Sequence, residues 1–285
     1  MTPLPRIELD GGDGTVEHNK NNRCWPYHEN DRVMPSFDQT PDAPQPFGFK
    51  VSWFAVKATN PRSVLDALEF GEAAPANWAS GLAAAYGDPQ SSDAWVFVSP
   101  AISGWVLVVG LSLPYPTNET HHDIGRKFDV LFSRLMKRFD DVQFFSSHRV
   151  VEYAAWARAL RGEPLRVFAY LGETGEVLAN VGAQTAEEAK LKFADLSGLA
   201  PSDAVDEIFR IAGEQEAEVD KLVAGGLSRR EAWAKVWQNG RSAFPGEIDV
   251  VDLAALWSID PRRLSAQDHP AGLGLAARLP KNLRQ

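Results

Sequence analysis

Along this chain, apolar runs of strand length alternate with stretches whose apolar residues recur every three to four positions. The first run is "FGFKVSWFAVKA", where Phe49, Val51, Trp53 or Phe54, and Val56 suit a buried strand. Asn60-Pro61 then supplies a helix N-cap with proline at the first helical position, opening a helix over "RSVLDALEF". A second helix, "ANWASGLAAAYG", ends at Gly87. "DAWVFVS" and "GWVLVVGLSL" are β-rich runs joined by Pro100-Ala-Ile-Ser-Gly104, the pattern of a hairpin. Ile124, Phe128, Leu131, Phe132, Leu135 and Phe139 next fall on one face of a long helix.

After that helix the pattern returns to β. "VQFFSSH", "AAWARAL", "LRVFAYLG" and "EVLANVG", with turns at Arg161–Pro164 and Glu173–Gly175, read as an antiparallel meander. A helical reading of "RVVEYAAWARAL" competes, since Ala and Arg favour helix. Two Gly-containing turns at strand-length spacing favour β. From about residue 185 the period is helical. Thr185-Ala-Glu-Glu188 and Ser228-Arg-Arg-Glu231 are capping boxes, and Pro201-Ser-Asp203 opens a further helix. Val205, Ile208, Phe209 and Ala212 form one apolar stripe, and Trp233, Val236 and Trp237 another. "DVVDLAALWSIDP" gives a short helix halted by Pro261.

The pattern predicts an α+β fold. Its sheet is mostly antiparallel, hairpin plus meander, of about six or seven strands, covered by helices and followed by a helical C-terminal portion. Residues 1–47 carry no helical or strand period and read as an N-terminal extension, which Trp25, Tyr27 and Phe37 could pin to the body. Residues 48–184 form the sheet-containing region, 185–260 the helical region, and 261–285 a basic C-terminal tail.

Composition narrows the classes. A single cysteine, Cys24, excludes an internal disulfide and a cysteine-rich zinc module. No apolar run reaches the ~20 residues of a membrane span, and the N-terminus lacks the basic-then-apolar order of a signal peptide. A cytoplasmic location with no membrane partner is therefore expected. The net charge of −9 argues against direct nucleic-acid binding and allows a basic partner.

Candidate chemistry centres on "ETHHD". Thr120 is a natural N-cap, with Asp123 three residues on as the acid of a capping box. His121 and His122 stand about 100° apart around a helix, whereas a zinc helix spaces its histidines at i and i+4. The stretch is read as a helix start. "GGDG" at 11–14 lacks the flanking strand and helix of a phosphate loop, and Asp10, Asp13 and Glu17 do not make a calcium loop. Cys24 and His28 lack further ligands nearby, and there is no G-x-S-x-G elbow. No catalytic residue, cofactor or metal is expected. An enzyme with an unrecognised site near His121, His122 or His148 stands as a rival.

Charge segregation is more informative. Residues 185–225 hold ten acids against four bases. Asp203, Asp206, Glu207, Glu214, Glu216, Glu218 and Asp220 are either a solvated helix face or a docking patch for a basic partner.

"AWARALRGEPLRVFAYLGETGEVL" at 155–178, with "ALWSIDP" at 255–261, resembles immunity proteins of bacterial polymorphic toxin systems. These include the cognate partners of type VI secretion effectors. The resemblance spans roughly residues 48–262 and is nearest to partners of nuclease toxins with a restriction-endonuclease-like fold. It implies an α+β fold, no catalysis, and tight binding to one toxin; independently of it, the charge of the acidic residues above makes them the toxin-binding candidates for a basic nuclease. Interface positions in that family vary with the toxin, so no binding residue transfers by the resemblance. An adaptor or effector chaperone, holding its partner without inhibiting it, is the other alternative.

Overall fold

Strand β1 (Ser52–Lys57) lies at the centre of a nine-stranded sheet in which every neighbouring pair is antiparallel. The computed structural model describes residues 36–87, 93–118, 122–240, 243–267 and 269–285, and Ser36–Gln285 form one compact unit. On one side β1 pairs with β4 (Trp105–Gly110), which forms the expected hairpin with β3 (Trp95–Val98). On the other it pairs with β5 (Asp141–His148). The meander continues through β6 (Tyr153–Leu160), β7 (Glu163–Leu171) and β8 (Glu176–Val181). Beyond β3 the sheet is extended by β9 (Gly274–Arg278) and finally by β2 (Ala73–Ala76). The fold is α+β.

Helices cover both faces. On one, α1 (Pro61–Leu68) and α3 (His122–Met136) bury Leu65, Leu68, Phe128, Leu131 and Leu135 against Phe54, Val108 and Phe144. Phe128 and Phe144 meet edge to face, 4.9 Å between ring centroids, the arrangement aromatic quadrupoles favour. The Asn60 side chain caps α1 as expected, accepting from the Arg62 amide. On the opposite face a lateral row runs Phe97, Val109, Trp53, Phe145, Trp156, Phe168 across six neighbouring strands. Helix α2 (Trp78–Ala85) sets Trp78 against Phe97, and α7 (Glu247–Trp257) sets Trp257 against Phe145.

The segment after Pro261, expected to be a tail, instead supplies β9 in the sheet interior. Its sequence, GLAAR, has neither the β-branched nor the aromatic residues that mark a strand. Small residues are required there. A Cβ at Gly274 would stand 2.4 Å from the Val98 carbonyl oxygen and 2.6 Å from the Phe97 ring. β2 carries Pro75, which an edge strand tolerates because its outward amide needs no partner. The expected six or seven strands lacked these two.

Of the expected extension, residues 36–47 dock on the body. Phe37 packs edge-on against Trp95, and Asp42 accepts the Trp78 and Ala79 amides at the start of α2. Trp25 and Tyr27 lie outside the described residues, as do Cys24, His28, Thr120 and His121. His122 is described only as a backbone position in α3, and Asp123, in its first turn, pairs with Lys127 at 2.6 Å.

Candidate functional site

The helical region is fastened to the sheet by charge. Gln143, Arg158 and Arg166 are successive cross-strand neighbours on β5, β6 and β7. Two guanidinium groups facing each other across a ladder repel unless each finds its own counter-charge. Arg158 takes Asp141 at 2.7 Å and lies over the Trp257 ring. Arg166, 2% exposed, takes Glu188 of α4 (Ala186–Lys190), itself 1% exposed. The same Glu188 oxygen accepts from Trp156 Nε1 at 2.9 Å, and its second oxygen accepts the Thr185 amide at 2.7 Å, completing the capping box. Arg166 also donates to Asn180 Oδ1 at 2.7 Å, and Asn180 in turn donates to the Leu196 and Leu199 carbonyls. The bonds of Glu188 to Arg166 and Trp156 tie α4 to β7 and β6, and those of Asn180 tie the following loop to β8.

From that loop rises α5 (Pro201–Ala224), which packs on β8 and on α6 (Arg229–Asn239). The two helices share a small core of Val219, Ala232 and Val236 with Leu222, Leu227 and Trp233 against it. The acids singled out in the sequence lie along α5, and most are paired within the protein. Arg210 holds Glu207 at 2.6 Å and Glu214 at 2.5 Å; Lys221 holds Glu218 at 3.2 Å. Arg229, from the first turn of α6, holds both Glu216 and Asp220. The Arg210 hydrogen bond keeps the Glu207 carboxyl below its ordinary pKa. Asp203 and Asp206 have no ion pair among the described residues. Exposed ion pairs of this kind contribute little to stability, and they also cancel much of the field an outside cation would feel.

The aromatic residues of this region are the less expected finding. Phe209 and Trp237, read as members of buried stripes, are 51% and 52% exposed. Of those stripes Ile208 and Val236 are buried, together with Ala204 and Val219 of α5 and Ala232 of α6. Phe209 and Trp237 each follow one of these by a single residue, about 100° round the helix, so they fall beside the buried stripe. Trp237 stands 5.4 Å from Trp233, centroid to centroid, and Phe209 meets Phe244 edge to face at 5.5 Å.

His148 sits elsewhere. A cavity of about 410 Å³ opens beside the β5–β6 turn, bounded by Tyr115, Thr117, His148, Tyr153, Leu171 and Leu178, with Lys50 and Arg149 also contributing. Tyr115 and Tyr153 are 4.8 Å apart, and each ring is 6.2 Å from that of His148. Burial raises the pKa of both phenols and lowers that of His148, with the nearby Glu247 carboxylate opposing the latter. Glu247 is itself bound to Arg149 at 3.0 Å, to the Lys50 amide and to Ser147 Oγ.

Among the described residues no group of three or more His, Cys, Asp or Glu side chains could hold a metal, and no helix is long and apolar enough to cross a membrane. Comparison of the chain with protein-family models, with curated proteins and with solved structures finds no match.

Proposed function

We propose that this chain is an immunity protein that binds and neutralises a cognate secreted antibacterial toxin, a basic nuclease of the kind delivered by type VI secretion. It acts in the cytoplasm of the producing cell and binds neither nucleic acid nor membrane itself. The observation that carries the reading is the Trp233–Trp237 pair on α6, with Trp237 half exposed. An indole left in water at the surface is the residue type that anchors protein interfaces, and the arginines and acids elsewhere on α5 and α6 suit a polar rim. The segments that resemble immunity proteins support the same reading from the other side. They build β6, β7, β8 and the end of α7, the frame that carries the α5–α6 arm.

Charge has a narrower role than the acidic composition implies. With Glu207, Glu214, Glu216, Glu218 and Asp220 shared with internal bases, Asp203 and Asp206 are the acids left to meet a basic toxin directly. Net charge still steers approach over a Debye length of about 8 Å at physiological salt, while apolar anchors set how long the complex lasts.

Identification of a toxin gene beside this one, followed by co-expression of the two, tests the proposal. The toxin should kill alone, the pair should grow, and the purified complex should have lost nuclease activity. A stable complex that keeps its activity would make the protein an adaptor or chaperone and overturn the reading.

A further inference from the structure

We propose that the cavity beside the β5–β6 turn is a binding site for a small amphipathic carboxylate, its apolar body between Tyr115, Tyr153, Leu171 and Leu178 and its head group at His148, Thr117 and Lys50. This goes beyond toxin neutralisation and shares no residue with the α5–α6 arm.

The size and lining fit a small molecule. Sites for such ligands occupy about 300–1,000 Å³ and are mostly apolar with a few convergent polar groups. Here the volume is about 410 Å³. Tyr153 and Leu178 are buried, and the tilted rings of Tyr115 and Tyr153 form an aromatic wall. Tyr153 already donates its hydroxyl to the Pro116 carbonyl at 2.7 Å, so it contributes surface rather than a free donor.

Unused polar groups set the head group. His148 Nε2 and Thr117 Oγ1 are both withdrawn from solvent and have no hydrogen-bond partner among the described residues. Buried polar atoms are almost always paired, so two orphans on residues that line one cavity are the donors left for a ligand, which must draw both side chains round to meet it. The threonine hydroxyl can donate, and so can the imidazole in its Nε2–H tautomer. The charge balance selects an anion. Arg149 is committed to Glu247, whose carboxylate also takes the Lys50 amide and Ser147 Oγ, whereas the Lys50 ammonium has no ion pair among the described residues. One free cation with two neutral donors matches a monoanion with two acceptor oxygens. A phosphate dianion calls for a bidentate arginine or several cations, which the cavity does not offer.

Isothermal titration of the full chain with 4-phenylbutyrate, indole-3-acetate and octanoate, each beside its primary amide, tests this. At least one acid should bind one to one with submillimolar affinity, and its amide about tenfold more weakly. Thr117→Val, which keeps the side-chain shape, and Lys50→Gln should each weaken the acid severalfold. Leu178→Trp should fill the cavity and abolish binding; if it fails to fold, the other two variants decide. No acid bound below millimolar concentration, equal affinity for acid and amide, or undiminished binding in Thr117→Val and Lys50→Gln would each overturn the proposal.

Discussion

Two capping boxes of one pattern, Thr185–Glu188 and Ser228–Glu231, both close as their spacing predicts. Their acids have very different surroundings. Glu231 is in solvent and, among the described residues, bonds Ser228, whose hydroxyl and amide hold its carboxyl below the ordinary range. Glu188 is buried and also satisfies Arg166 and Trp156. Removing one partner of a buried pair leaves an uncompensated charge, so Glu188→Ala should lower the unfolding free energy by about 3–5 kcal/mol. Glu231→Ala should barely move the urea midpoint. The boxes were legible because they are local; the Arg166–Glu188 pair was not, because it depends on the register of β6, β7 and β8. His148 gives a pH signature. Its pKa is lowered in the folded state, so its stabilising contribution is complete above the unfolded value of about 6.5 and is lost as pH falls through the folded one. Denaturant midpoints measured from about pH 7.5 to 5.5 should therefore decline on acidification, and His148→Gln should flatten that decline.

Helix α2 lies so close to β3 that Gly81 has no room for a side chain. A Cβ there would be 2.1 Å from Phe97 Cδ2, and that ring is itself backed by Trp78 at 5.2 Å. Gly81→Ala should destabilise by about 1–3 kcal/mol through overpacking, outweighing the better helix propensity of alanine. Gly213→Ala, in α5 with nothing within 4 Å of the added carbon, should gain about 0.5–1 kcal/mol from that propensity alone. Thermal melts of the two variants check the contrast. The strands richest in β-branched and aromatic residues, β1, β3, β4 and the meander, were legible in the sequence for the same reason that they form the core. β9 was not, because the close approach of Phe97 and the Val98 carbonyl requires glycine at 274, and β2 was not, because Ala-Ala-Pro-Ala carries no strand signal. The apolar stripes of α5 and α6 held the buried Ile208 and Val236 but also took in Phe209 and Trp237, each about 100° round the helix from them, which an apolar count cannot separate.

At the scale of the molecule, a sheet buried on both faces presents its neighbours with helices, and the binding account places the working surface on α5 and α6. The acids there were legible as a cluster, but their partners were not: Arg229 reaches Glu216 and Asp220 from the next helix. On the proposed reading, that internal pairing shifts the weight of binding from charge to Trp237. Ile248 of α7, 55% exposed, offers an equally solvent-facing apolar side chain outside the arm. The most direct test compares the dissociation rates of Trp237→Ala and Ile248→Ala from the toxin that the proposed function calls for, with both variants shown to be folded. Loss of an interface anchor costs about 2 kcal/mol or more, so Trp237→Ala should speed dissociation roughly thirtyfold, while Ile248→Ala leaves it unchanged. A Trp237→Ala variant that dissociates as slowly as the unaltered chain would contradict the account.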